Sequence, residues 1–172
     1  MAQKNKENCD CDDCNKCSEG IDKVKEKYEV LRKKYSLPEF KELHEEFDIE
    51  KSDFGEDTIL RDIRKTMAAK YFALLTFIEN QLNPSSMFQM MLTKCLEQED
   101  RTKLNELFDK IGLTEIESFK LDIKYEEKKE AEFIIDKFKE WNEIKPSIEK
   151  IIDSMKTNWK KVSTKKEKSY FG

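Results

Sequence analysis

The sequence predicts an all-α fold: an antiparallel bundle of six to seven helices carrying a cysteine-rich N-terminal tail. Three observations point there. Only four glycines and three prolines occur in 172 residues, too few for a turn-rich β architecture. Valine, a strong strand former, occurs only as Val24, Val30 and Val162. The apolar residues recur at three- and four-residue intervals along most of the chain. Charged residues make up 41% of the chain against 37% hydrophobic, so the charge reads as the solvated exterior of helices whose apolar minority faces inward.

The first helix begins after Gly20, where Ile21, Val24, Tyr28, Leu31 and Tyr35 form the 3-4 seam of a helix that pairs with another. Ser36-Leu37-Pro38-Glu39 then has the form of a capping box, opening a helix over about 37–47 with Phe40, Leu43 and Phe47 inward. Asp57 is placed to cap a long third helix with the stripe Leu60, Ile63, Met67, Tyr71, Leu74 and Ile78, stopped by Asn83-Pro84. A short fourth helix carries Met87, Phe88, Met91, Leu92, Cys95 and Leu96, an arc broad enough to predict deep burial.

A fifth helix over about 100–111 presents Leu104, Leu107, Phe108 and Ile111, and Gly112 is read as its left-handed C-terminal cap. Thr114-Glu115-Ile116-Glu117 reads as a second capping box, opening a helix to about Glu143 with Ile116, Phe119 and Ile123 inward and a kink expected in the charged middle. Beyond Pro146 a last helix places Ile148, Ile151, Ile152, Met155, Trp159 and Val162 on one face. The domain organisation expected is therefore a cysteine-rich head over 1–19, one helical domain over 20–162 and a basic frayed tail over 163–172.

The stretches LPEFKELHEEFDIE (37–50), LRDIRKTMAAKYFALL (60–75) and AEFIIDKFKEW (131–141) resemble a group of uncharacterised small helical proteins of archaea, over about residues 25–150. That resemblance implies a helical fold and an intracellular setting, and it brings no catalytic residues with it.

Chemistry concentrates at the two ends. Cys9, Cys11, Cys14 and Cys17 form a C-x-C-x2-C-x2-C run, and in a reducing cytosol four clustered thiolates read as a metal site before disulfides. Zinc is the expected ion, with an iron–sulfur cluster as the alternative because C-x2-C-x2-C is a spacing its ligands use. A third reading, a tail with no specific ligand, stays open. Cys95, between Leu92 and Leu96, reads as a small core hydrophobe.

At the other end, residues 144–172 carry eight basic and three acidic groups, whereas residues 1–57 carry eleven basic and seventeen acidic. Lys156, Lys160, Lys161, Lys165, Lys166 and Lys168, with Trp159, Tyr170 and Phe171 among them, suit phosphate neutralisation and base stacking. Arg61, Arg64 and Lys65, close together on what reads as the outer surface of the third helix, could extend that footprint. Helix-dipole complementation and a solvated face explain the same cations without RNA.

Enzymatic chemistry finds little to work with. His44 is the single histidine, which excludes di-iron bundles built on paired Glu-x-x-His motifs, and no nucleophile motif accompanies it. Asp53-Phe54-Gly55 matches a kinase tripeptide by chance, since neither a glycine-rich loop nor H-R-D is present. The expectation is a soluble, cytoplasmic, non-enzymatic interaction or adaptor module with a zinc-binding head. Its partner would be another protein or a second copy through the helix 21–35, and no membrane span is foreseen. The alternative is an RNA- or ribosome-associated factor using the basic end.

Overall fold

A computed structural model gives the fold, among the described residues, as six α-helices: α1 (Asp12–Tyr35), α2 (Phe40–Phe47), α3 (Ile59–Leu82), α4 (Met87–Thr93), α5 (Gln98–Ile123) and α6 (Glu127–Ser169). The described residues are 12–51, 54–55 and 57–169, with side chains described over 23–50, 54–55 and 57–162. A 3-10 turn, Ile49–Lys51, follows α2.

Three long helices make the frame. Leu121 and Ser118 of α5 lie against Arg61 and Arg64 of α3, so these two helices run antiparallel. Arg64 meets Glu130 and Tyr71 meets Lys137 of α6, so α3 and α6 run parallel. The α1–α2 hairpin closes one side, where Tyr28 Oη donates to the Pro38 carbonyl at 2.8 Å and Trp141 of α6 donates to Glu46 of α2 at 2.8 Å. The core runs continuously through Tyr28, Leu43, Ile63, Met67, Tyr71, Leu104, Ile111 and Ile134, all fully enclosed.

Helix ends follow local chemistry, though not always the residues the sequence favoured. Ser36 takes the left-handed conformation (φ 58°) that ends α1, a position glycine usually fills, and Leu37 N–H returns to the Arg32 carbonyl at 3.2 Å. α2 starts three residues later than Ser36 allows: Glu39 is its N-cap, and Glu42 accepts from the Glu39 N–H at 3.1 Å. Ser86 caps α4, accepting from Gln89 N–H at 3.1 Å.

Elsewhere the punctuation misleads. Gly112 does not end a helix: α5 passes straight through it, no glycine has a positive φ among the described residues, and Thr114 lies buried in mid-helix with no capping role. Pro146 likewise sits inside α6, a single helix of 43 residues. The break between the last two helices falls at Lys124–Glu126 instead. α1 extends back to Asp12, through Gly20, so it starts inside the stretch assigned to the cysteine head. At Gly112 and Pro146 packing over a long shared interface outweighs a local preference of about 1 kcal/mol for glycine or about 3 kcal/mol for proline.

Candidate interaction surfaces

The outward face of α5 follows from its inward one. Buried along it are Leu104, Leu107, Ile111, Thr114, Ser118 and Leu121, a 3-4-3-4-3 seam that is apolar at first and then hydroxylic. The hydroxyls face the charges of α3 and α6. Arg64, fully buried, donates to Ser118 Oγ at 2.7 Å, to Glu130 Oε2 at 2.8 Å and to Asp122 Oδ1 at 2.5 Å. Thr114 Oγ1 donates to Glu140 Oε1 at 3.4 Å, and Lys137 pairs with Glu117 at 2.9 Å and Glu140 at 3.3 Å.

With Thr114 and Ser118 turned in, the apolar residues of the same stretch turn out. Leu113, Ile116, Phe119 and Ile123 are 61%, 67%, 62% and 86% exposed. The inward placement expected for Ile116, Phe119 and Ile123 is thus reversed. A contiguous apolar helix face on the surface marks a contact site more often than solvent exposure for its own sake. Phe72 of α3, 54% exposed, adds to the apolar surface on the neighbouring helix, where Lys65 and Phe72 share a shallow groove with Glu115 and Asp122 of α5.

Gly112 lies on this outward face, four residues before Ile116. A methyl group added there would meet no atom within 4 Å apart from the helix's own backbone. Its backbone is ordinary right-handed helix, so neither conformation nor internal packing requires glycine, which costs a helix about 0.5–1 kcal/mol relative to alanine.

A second apolar surface forms where α4 meets α6. Met87, Phe88 and Met90 are 67%, 61% and 46% exposed, against the deep burial expected for α4. The Phe88 ring stands edge-on to Trp159 with centroids 6.0 Å apart. Trp159 is half-buried against the core, and Lys156, Lys160 and Lys161 are exposed around it. The side chains of Lys165, Lys166 and Lys168 lie outside the described residues.

The other sequence-derived candidates are placed differently. Arg64 does not belong to an outer basic patch, because it is the buried hub just described. Arg61 is drawn into the same network, with its guanidinium over the Tyr125 ring at 5.0 Å and a bond to the Leu121 carbonyl at 3.3 Å. Only Lys65 of the three stays exposed. His44 is half-buried, and its Nδ1 accepts from Glu50 N–H at 3.3 Å. Cys95 is 1% exposed, as a core residue should be, and burial pushes its thiol pKa up.

The metal centre is corrected. No group of three or more His, Cys, Asp or Glu among the described residues is placed to hold a metal ion, so the zinc head and the alternative iron–sulfur cluster are set aside. Cys9 and Cys11, and the side chains of Cys14 and Cys17, lie outside the described residues; the backbone of Cys14 and Cys17 belongs to α1. The helix 21–35 is likewise not a free partner surface. Tyr28 is fully buried, and Val24, Leu31 and Tyr35 pack against the core.

The carboxylates lining the groove between α1 and α2, Glu29, Glu39 and Glu50, are engaged in ion pairs. The groove between α1 and α2 is crossed by Lys25–Glu50 at 2.6 Å and Arg32–Glu39 at 3.3 Å. The hydrogen bond from Lys25 holds the Glu50 carboxyl below its usual value. Burial opposes ionisation of Glu46, but hydrogen bonds from Lys145 and Trp141 outweigh it and lower that pKa too. No helix among the described residues is long and apolar enough to cross a membrane.

Compared with known proteins, the chain matches no family model, no curated protein and no solved structure.

Proposed function

We propose that this protein is a non-enzymatic helical interaction module whose protein partner docks on the outward face of α5. The carrying observation is the exposure of Leu113, Ile116, Phe119 and Ile123 in a helix whose buried side holds Thr114 and Ser118. Burying those four side chains against a partner recovers a stabilisation that the bundle itself leaves unused, about 1.5–3 kcal/mol for each one fully covered. The ionised, paired state of Glu46, Glu50 and Asp122 supports a structural use of these carboxylates, since a general acid needs its pKa raised.

The test is a photo-crosslinking side chain installed at Phe119 and, as control, at the exposed polar position Lys103 on another face of α5. A discrete crosslinked species in cells of the source organism from position 119, absent from position 103 and lost on adding Ile116→Glu, is expected. Identical crosslinking patterns from both positions would overturn the assignment. Ile116→Glu should leave the stability of the unpartnered chain within about 0.5 kcal/mol, because the site is exposed there.

A second reading is favoured by the α4–α6 surface: RNA contact through Lys156, Lys160 and Lys161, with Phe88 offering a stacking face. It predicts single-stranded RNA binding that weakens steeply with salt and disappears when the three lysines become glutamate. Salt-insensitive or absent binding rejects it.

A further inference from the structure

We infer that the partner on the α5 face is a second copy of this chain, docked antiparallel about a two-fold axis passing close to Ile116. The inference rests on the reading that this face binds protein, and it names that protein.

Phe108, Gly112, Ile116, Phe119 and Ile123 follow one another at spacings of four, four, three and four residues, the pattern of a helix-pairing seam. A closed two-fold contact must be self-complementary, residue i meeting j while j meets i. Antiparallel pairing about Ile116 satisfies this. Ile116 meets its own counterpart, Gly112 of each copy lies opposite Phe119 of the other, and half-buried Phe108 lies opposite Ile123.

That arrangement explains the glycine. Nothing in the chain's own conformation or packing calls for Gly112, yet opposite the large Phe119 ring a missing side chain lets the two helices approach closely. The flanking charges agree. In an antiparallel two-fold pair each flank meets its own counterpart in reverse order, which sets Asp109 within a turn of both Lys120 and Lys124 of the other copy. On the opposite flank Glu115 falls near the axis, and the exposed Lys65 that shares its groove is at hand to offset the paired carboxylates.

The experiment is sedimentation of the full chain across a concentration series, with three variants. The wild type should sediment as a dimer. Gly112→Leu, whose Cβ has open space on this face, should keep the helical circular dichroism signal and weaken dimerisation on the order of a hundredfold. Asp109→Lys should weaken it on the order of tenfold, and adding Lys120→Glu with Lys124→Glu should restore it. Ile116→Glu gives a second break should Gly112→Leu perturb folding.

A wild-type monomer at every concentration overturns the inference, as does a dimer indifferent to both Gly112→Leu and Ile116→Glu. The crosslink from position 119 separates the two readings. An adduct of twice the chain mass supports self-pairing; an adduct with a different polypeptide leaves the docking face standing and removes the second copy; no adduct removes both.

Discussion

Replacing Arg64 with methionine tests the centre of the bundle directly. The Arg64 side chain is 1% exposed and that of Glu130 0%, with Nε and Oε2 2.8 Å apart. Truncating the cation leaves a buried carboxylate whose nearest remaining cation is Arg61 Nε at 3.7 Å. Breaking a buried pair by removing one partner costs about 3–5 kcal/mol, because desolvation of the survivor is no longer offset. In a chain of this size that corresponds to a fall in Tm of about 6–20 °C.

The cycle is completed by Glu130→Leu. Alone it removes one of the guanidinium's two carboxylates but leaves Asp122 and Ser118 bonded to it, so it should cost less than Arg64→Met, whereas the double variant replaces a buried pair by apolar groups of comparable volume and should recover most of the loss. Asp122→Asn serves as the internal scale: its side chain is 43% exposed, so its share should stay below about 1 kcal/mol. Urea denaturation at neutral pH, followed by circular dichroism, reads all four. A cost below about 1 kcal/mol for Arg64→Met, or strictly additive single changes, would refute the buried hub and return Arg64 to the surface, where it could contact a nucleic acid.

Other perturbations read separate parts of the fold. The hydrogen bond from Arg64 lowers the Asp122 pKa, and those from Lys34 and Tyr35 lower that of Glu127. Their stabilisation is present above the unfolded carboxylate value of about 4 and is lost as pH falls through the lower folded values. Tm should accordingly hold steady from about pH 8 to 5 and drop below about pH 4; an unchanged Tm at about pH 3 would contradict this. Pro146 is exposed inside α6 and cannot donate to the preceding turn, so Pro146→Ala should raise stability by up to about 3 kcal/mol without changing helical content; a lower Tm would count against a continuous helix there. Ile134 is fully buried, and Ile134→Ala should cost about 2–5 kcal/mol in urea titrations, while a neutral result would place the core elsewhere.

Long, uniformly apolar stripes were legible from spacing alone. The series Leu60, Ile63, Met67, Tyr71 and Ile78 is buried on α3, and Phe40, Leu43 and Phe47 are buried on α2. Residues whose placement depends on a distant partner were not legible. Arg64 occupies the same face as Ile63 and Met67, but nothing nearby in sequence announces that Glu130, Ser118 and Asp122 will converge on it from two other helices. Gly112 and Pro146 do not act as boundaries, because a single residue's preference is small beside the packing of a helix three or more turns long on either side of it.

The α5 face shows how these two errors compound. Taking Gly112 as a terminus broke the seam Leu104, Leu107, Ile111 just before it continued through Thr114, Ser118 and Leu121, and a fresh helix starting at Thr114 then made Ile116, Phe119 and Ile123 the natural inward stripe. The unbroken 3-4 rhythm was available in the sequence, but following it required placing two hydroxyls in the core ahead of an isoleucine and a phenylalanine. That choice becomes favourable only because Arg64 and Glu140 wait across the interface to bond them. The buried ion network and the exposed apolar face are therefore two sides of one helical register. A substitution such as Ser118→Leu tests that link: it takes a hydroxyl partner from Arg64 and enlarges a buried side chain, so it should lower stability by about 1–3 kcal/mol while leaving Ile116 and Phe119 outward. If Ser118→Leu instead stabilised the bundle and abolished crosslinking from position 119, α5 would have rotated. The outward face would then be a consequence of weak specification and not a built surface.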